Sequence, residues 1–400
     1  MPATEVSAPT SGRATRAQLV INGYPLLLRH KGAGVYTARL IQALERRWPG
    51  RFRAVVPEAL RADLTAEFSA ENFDFIPGRP PLARGVAADI YWNLAIMRHI
   101  TRRYPRAVVH APAETWSPRR PRRLVTTLYD CIYRHYPRLR GGWLRRWWWR
   151  ATERYASRAD RVLTISEHSR RELVQLAGIP ADRLRVIHPW VDTFAARARA
   201  ADAGAARVVA RYDLPPEFLL YAGGYNINKN VERLVAGYAR ASGKAPLPPL
   251  VLIGGIPPAD PRLAVCDVHG AIAASGLPAG CVRLPGPVAT ADMATVMQRA
   301  KLLVHPALHE GFGYAPAEAM AVGTPVLVAN ATSLVEVVRE PHCRFDPMDV
   351  DAIAAKLLDA NAAPAKFRVP LPPEFTEAAG MTAYLATLDE CDHAPGHEGA

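Results

Sequence analysis

What these 400 residues lack narrows the field first. No apolar run approaches the ~18 residues that a membrane-spanning helix needs. The five cysteines (Cys131, Cys266, Cys281, Cys343, Cys391) are scattered, odd in number and form no CxxC pair. That argues against a disulfide framework or a cysteine zinc site, and for a reducing compartment. Residues 1–16 are small and polar with no apolar core, so a flexible N-terminus is expected there rather than a secretory signal. Lysine is scarce, confined to Lys31, Lys229, Lys244, Lys301, Lys356 and Lys366. A lysine beside a glycine loop is therefore less of a background event here than in most chains.

Acidic residues are thin between 98 and 171, where arginines crowd, including Arg102, Arg103, Arg119, Arg120, Arg145, Arg146, Arg150, Arg154 and Arg158. The chain carries a formal charge of +13, which implies an anionic partner: nucleic acid, anionic lipid or a phosphorylated substrate. A solvated basic face in an arginine-biased chain explains the same residues equally well.

What is present is a rhythm of short apolar runs, turns and helical patterns. Strands are expected over 18–21, 52–56, 107–110, 124–128, 161–165 and 184–187, with helices over 34–48, 142–158 and 167–176. The pattern breaks over 192–206. It restarts with strands at 218–221, 250–253, 282–284, 302–305 and 325–328 and helices at 229–240, 291–300 and 314–322. Two alternating series predict two α/β domains with parallel sheets, over 17–200 and 201–375. A further helix is expected within 376–391, packing back toward the first domain, and a frayed tail over 392–400. Ligands of open parallel sheets sit outside the carboxyl ends of the strands, so the loops there carry the chemistry.

The most informative loop reads HPALHEGFGYAPAEAMAVG over 305–323. Glu310 follows a strand, and Gly311 and Gly313 permit close backbone approach and expose N–H groups to an anion or sugar oxygen. Glu318 sits among small apolar residues, where a carboxylate needs partners; the vicinal hydroxyls of a ribose would satisfy it. A glutamate favoured by the helix dipole is the plain alternative for either residue alone. A second loop, YAGGYNINKN over 221–230, places Gly223 and Gly224 in a turn and Lys229 and Asn230 at a helix start, a cradle for a diphosphate. A third, KGAGVY over 31–36, holds Gly34 but lacks the full dinucleotide spacing because position 37 is Thr. His110 and the pair Tyr129 and Asp130 follow strands and are candidates for an acceptor hydroxyl. Asp349 and Asp351 resemble a metal-binding DxD, but N-capping explains them better. Trp143, Trp147, Trp148 and Trp149 amid the arginines from Arg145 to Arg158 suggest docking on an anionic membrane surface, against packing of the tryptophans into the core.

These motifs together resemble the group 1 family of retaining glycosyltransferases, with two Rossmann-like domains facing across a nucleotide-sugar cleft, the GT-B fold. The resemblance runs from about Gln18 to Leu388. It is strongest in HEGFGYAPAEAMAVGTPVLVANATSLVEVV over 309–338, and extends to TISEHSRRELVQLAGIPADRLRVIHPWVD over 164–192 and LLYAGGYNINKNVERLVAGYA over 219–239. It implies that Glu310 contacts the donor sugar, with backbone groups of Gly311, Phe312, Gly313 and Tyr314 holding sugar and phosphate. Glu318 would bind the ribose, Lys229 would neutralise the departing diphosphate, and Gly34 would lie against the phosphates from the other domain. Retention of configuration and independence from a metal or other cofactor are likewise implied. Two positions depart from the family: Gly224 stands where many members have an arginine, and Tyr129 stands where a His-Asp motif often has its histidine. The catalytic expectation then falls on Glu310, Lys229 and Asp130, with His110 as a further acceptor-side group.

The expected function is transfer of a hexose to a glycan or lipid-linked acceptor in bacterial polysaccharide assembly, in the cytoplasm, with peripheral attachment to the inner face of the cytoplasmic membrane. GDP-mannose is the preferred donor on overall likeness to polysaccharide mannosyltransferases, with UDP-hexoses as the alternative. A nucleotide-sugar epimerase of the same fold, a basic nucleic-acid-binding protein and a non-catalytic partner subunit are the rivals. No nucleic-acid-binding motif supports the second of these.

Overall fold

A computed structural model describes residues 19–28, 32–78, 85–140, 142–200, 204–255 and 264–393, with backbone alone at 197–200 and 392–393. Lys31, the expected N-terminal tail and residues 394–400 lie outside the described residues, while residues 392–393 of the expected frayed tail are the end of a helix. The chain opens with β1 (Leu19–Asn22), α1 (Gly32–Arg47), β2 (Phe52–Pro57), α2 (Arg61–Thr65), β3 (Phe73–Ile76), α3 (Val86–Arg103), β4 (Val108–Ala111) and β5 (Arg123–Thr127). There follow α4 (Ile132–His135), α5 (Trp143–Ala156), β6 (Arg161–Thr164), α6 (Glu167–Ala177), β7 (Leu184–Val186) and α7 (Asp192–Ala200). The second series runs α8 (Ala205–Arg211), β8 (Leu219–Ala222), α9 (Val231–Ser242), β9 (Leu250–Ile253), α10 (Val268–Ala274), β10 (Val282–Gly286) and α11 (Met293–Arg299). It ends with β11 (Leu302–His305), α12 (Tyr314–Ala321), β12 (Val326–Ala329), α13 (Leu334–Val337), β13 (Arg344–Phe345), α14 (Val350–Ala362) and α15 (Glu377–His393).

The strands form two sheets, ordered β3-β2-β1-β4-β5-β6-β7 and β10-β9-β8-β11-β12-β13. β1 pairs in parallel with β2 and β4, and β8 with β9 and β11. Runs such as Leu250–Ile253 and Val326–Ala329 are buried at every position, as expected of parallel strands covered on both faces. In the second sheet the chain steps outward from β8 to β10, then returns to β11 and steps outward the other way. The loops after β8 and β11 therefore diverge at a topological switch point, where ligands of such sheets bind. β1 and β4 form the corresponding point of the first sheet.

Two compact units divide the chain, Met1–Val125 with Cys391–Ala400, and Thr126–Glu390. The sheets themselves part between β7 and β8, but β6, α6 and β7 cluster with the second series. Hydrogen bonds explain it: Val191 N donates to the Phe375 carbonyl at 3.0 Å and Glu377 N to Asp192 at 3.0 Å. Along α15, Glu390 accepts from Arg161 at 2.7 Å and Arg185 at 2.8 Å, and Gly380 lies on Trp190. Among the described residues no helix is long and apolar enough to cross a membrane.

Three local expectations change. α1 begins at Gly32, so Gly34 is a buried residue of its first turn rather than part of a loop. Lys229 closes a 3-10 turn, and α9 starts only at Val231, because Asn230 adopts a left-handed φ of 59° that interrupts the helix. β3 and α3 were not anticipated. Asp349 caps α14, accepting from Asp351 N and Ala352 N, as its spacing predicts.

A Cβ on Gly380 would come 2.5 Å from Trp190 Cε3, and Trp190 is buried. Gly380→Leu should cost about 1–3 kcal/mol, read as a lower thermal midpoint. Thr382→Leu, exposed on the same helix, should stay within about 0.5 kcal/mol of the parent. Equal midpoints for the two variants would mean that α15 does not dock on Trp190.

Candidate functional site

The loops after β8 and β11 bring Lys229 and Glu310 together. Lys229 Nζ lies 2.5 Å from Glu310 Oε1, and His305, the last residue of β11, places its Nε2 2.7 Å from the same oxygen. Burial pushes the Glu310 carboxyl up, but the Lys229 charge and His305 outweigh it and bring it down to about 2. Behind them the buried Tyr221 ring stacks on His305 with centroids 6.1 Å apart, and burial with the Glu310 charge keeps its phenol protonated.

The backbone that carries Glu310 is held residue by residue. Asn228 Nδ2 donates to the His309 carbonyl at 2.9 Å, and Ser333 Oγ donates to the carbonyls of Glu310 and Phe312 at 2.9 and 3.0 Å. Ser169 Oγ reaches the Gly311 carbonyl at 3.3 Å, and Glu310 N donates to Thr332 Oγ1 at 3.1 Å. The loop thus turns its carbonyls inward. Gly313 sits at φ 106°, where a Cβ would come 2.7 Å from Leu334, so both space and backbone demand glycine. Phe312 is buried edge-on against Tyr314 and Phe375, with centroids 5.5 and 5.1 Å away.

Asp130 comes to the same place. A Cβ on Gly311 would lie 2.8 Å from Asp130 Oδ2, so the carboxylate rests directly on the loop. Its Oδ1 accepts from Ile132 N at 3.0 Å, and burial pushes the carboxyl up. Tyr129 is half-buried, and its carbonyl takes the Thr164 hydroxyl at 3.5 Å. Glu318 lies half-buried in α12. Gly223 is packed against the Tyr221 hydroxyl, which also bonds the Gly224 carbonyl; Gly224 itself faces open space.

Two candidates take different roles. The Asn230 amide donates to the carbonyls of Pro306 and Pro347 at 3.1 and 2.8 Å, so it fastens the loop after β11 instead of reaching a ligand. His110 lies within β4, fully buried, and burial alone lowers its imidazole to about 3, so it is neutral. On α5, Trp148 is buried and Trp149 stacks on Tyr133 with centroids 4.3 Å apart, which removes both from any membrane-facing surface. Trp143 and Trp147 are 74% and 46% exposed and share one groove with Arg146, Arg150 and Arg154.

Sequence reasoning missed His305, Asn228, Ser169, Thr332, Ser333 and the cluster around Glu172. It also missed Glu336, whose carboxylate accepts from Glu167 N at 2.9 Å and His168 N at 2.6 Å at the start of α6. Apart from His305, five residues from Glu310, these are polar side chains whose partners are remote in sequence, so no periodic signal exposes them.

The lowered Glu310 carboxyl makes its ionised form stabilising. That stability is complete above the ordinary value of 4.5 and is lost as pH falls toward about 2. Lys229→Met should cost about 3–5 kcal/mol at neutral pH by stranding a buried carboxylate. Urea unfolding at pH 7 and pH 3.5 should show a smaller acid loss in the variant. An unchanged pH dependence would overturn the pairing.

Two family models match the chain: "Glycosyltransferase Family 4" over residues 30–194 and "Glycosyl transferases group 1" over residues 216–361. An O-antigen chain mannosyltransferase B of Escherichia coli is 30% identical over 261 residues, 65% of this chain and 66% of that protein. The chain spans about a quarter of the length of the Escherichia coli serotype-specific mannosyltransferases it also matches. Among solved structures, a sucrose-phosphate synthase of Thermosynechococcus elongatus superposes with TM-score 0.66 at 18% identity, over 94% of this chain and 96% of that one. Anabaena HepE in complex with UDP-glucose gives TM-score 0.61 at 16% identity, over 94% and 97%.

Proposed function

Because the chain belongs to the group 1 family of nucleotide-sugar-dependent glycosyltransferases with the GT-B fold, we propose that it transfers a hexose from a nucleotide sugar to a hydroxyl of a glycan or lipid-linked oligosaccharide in bacterial polysaccharide assembly. The observation that carries this reading is the meeting of Lys229 and Glu310 at the switch point of the second sheet. Glycosyl transfer builds negative charge on the departing diphosphate, and a preorganised cation stabilises it best in a dry site. Lys229 supplies that cation. Its pairing with Glu310 fixes the ammonium in advance and gives the diphosphate a charge to compete for.

The carbonyls of His309 to Phe312 are taken by side chains, and the family resemblance assigns backbone groups of Gly311, Phe312, Gly313 and Tyr314 to sugar and phosphate. Glu318, further along α12, takes the ribose hydroxyls. Asp130, resting on Gly311, serves the acceptor hydroxyl, and Gly34 lies at the switch point of the first sheet. Transfer with retention follows the family expectation. Mannose from GDP-mannose is the favoured donor, since the first curated relatives are named mannosyltransferases. The UDP-glucose held by Anabaena HepE supports a UDP-hexose as the second reading. Trp143 and Trp147, exposed among Arg146, Arg150 and Arg154 at helical spacing, support docking on an anionic bilayer carrying the acceptor.

A thermal-shift panel of GDP, UDP, ADP and dTDP with their sugar conjugates tests the donor. Ligand at 100 times its dissociation constant should add about 2.7 kcal/mol of stability. One base should stand out, and Glu318→Ala should lose the shift; no response to any member would sink the reading. Turnover of donor without acceptor would favour the epimerase. For the membrane contact, Trp143→Ser with Trp147→Ser should release the protein from anionic liposomes at low salt. Equal binding by that variant would remove the helix from the proposal.

A further inference from the structure

Beside the transfer site, three histidines converge on one buried carboxylate. Glu172 and His168 stand four residues apart on α6 and so share a face. His135 ends α4, and His309 immediately precedes Glu310. Glu172 Oε1 lies 2.5 Å from His135 Nε2, 3.0 Å from His309 Nε2 and 3.2 Å from His168 Nε2, and Oε2 lies 3.2 Å from His309 Nε2. The rings themselves are in contact, with centroids of His135 and His168 lying 4.8 and 5.4 Å from that of His309.

The two carboxylate oxygens offer about four lone-pair directions, and His309 Nε2 reaches both of them, so His135 and His309 can each be met by a hydrogen bond. His168 Nε2 is shielded from solvent and makes no aligned hydrogen bond. The ligand atoms of His135, His309 and Glu172 all lie within 4.8 Å of one another, and with the Nε2 protons released these two nitrogens and the carboxylate oxygen would be shared by one cation.

We propose that His135, His309 and Glu172 form a binding site for a divalent transition metal, zinc first. Two imidazoles and one carboxylate are the ligand types and number of a zinc site whose fourth position stays open, whereas Mg²⁺ and Ca²⁺ favour all-oxygen sets. Ligand atoms about 2.0–2.1 Å from zinc stand roughly 3.3 Å apart in a tetrahedron. The N···O spacings of 2.5 and 3.0 Å would open by about 0.8 and 0.3 Å to reach it. Glu172 and His309 are buried while the His135 side chain is 43% exposed, which gives the metal an entry path.

The site is separate from the diphosphate cation. Its fourth position is left to water, and its three ligands lie on three separate segments, so its role is to tie them together. Within the unit from Thr126 to Glu390, zinc would fasten α4 and α6 to the loop that carries Glu310, with His309 as the shared residue. This inference stands whether or not the transferase reading does, because metal binding is measured without turnover.

The test is a calorimetric titration of the EDTA-stripped full chain with ZnCl2, and separately with CoCl2 followed by visible absorption. One zinc per chain and the intense visible bands of tetrahedral Co²⁺ are expected. His135→Ala, at a largely exposed position, should weaken zinc binding at least about tenfold and abolish the zinc-induced rise in thermal midpoint. Glu172→Gln should do the same, and His342→Ala, at an exposed histidine that bonds the Lys366 carbonyl, should change neither. Failure to bind zinc, or binding that His135→Ala and Glu172→Gln leave intact, would overturn the proposal. A Co²⁺ spectrum of octahedral type would overturn the four-coordinate geometry.

Discussion

The Glu310 carboxylate sets the terms for everything around it. A buried anion on a loop between a strand and a helix is costly unless paired and hydrogen-bonded. The chain meets that cost with Lys229 from the neighbouring loop and His305 from the strand below. His305 is local to Glu310, but Lys229 reaches it only because β8 and β11 are adjacent although far apart in sequence. The switch in strand order is what lets two loops 81 residues apart share one ion pair. Fixing that pair then requires fixing the backbone, which is why Asn228, Asn230, Ser169, Thr332 and Ser333 all point at the segment from Pro306 to Phe312.

Much of this was legible in advance. Two α/β series and most strands follow from the apolar runs, since a parallel strand buried on both faces must be apolar at every position; the expected break over 192–206 instead holds α7 and the start of α8. Glu310, Gly311, Gly313 and Lys229 stood out because each is unusual where it lies: acid after an apolar strand, paired glycines, one of few lysines. Asn230 looked like a ligand group for the same reason. Its left-handed φ and its two bonds to proline carbonyls are tertiary facts with no local signature. α3 went unread although Ala88, Trp92, Ile96 and Ile100 recur at helical spacing, because its arginines drew the reading toward charge.

The tryptophans of α5 show how adjacency misleads on a helix. Trp147, Trp148 and Trp149 are consecutive, and each step turns the side chain by about 100°. The three therefore meet solvent, the core and the Tyr133 ring in turn. Trp143, one turn before Trp147, shares its exposure, and arginines at 146, 150 and 154 continue the same stripe. The exposed tryptophan and arginine stripe is thus narrower than the sequence suggested and is defined by a face, not a run.

α6 draws these threads together. Its segment SEHSRRE holds four successive ties to the second series: Glu167 N and His168 N to Glu336, Ser169 Oγ to Gly311, and Glu172 to His309. A carboxylate at a helix N-terminus is favoured by the dipole and by the unpaired N–H groups there, so Glu336 binds where α6 is most receptive. Ser166 caps the same end through Ser169 N, which also orients Ser169. With Ser166 capping, Ser169 on the loop and Glu172 under His309, three positions at helical spacing act on one short stretch of backbone. Displacing α6 by even one hydrogen-bond length would loosen the Gly311 carbonyl and the His309 ring together, and with them the carboxylate between.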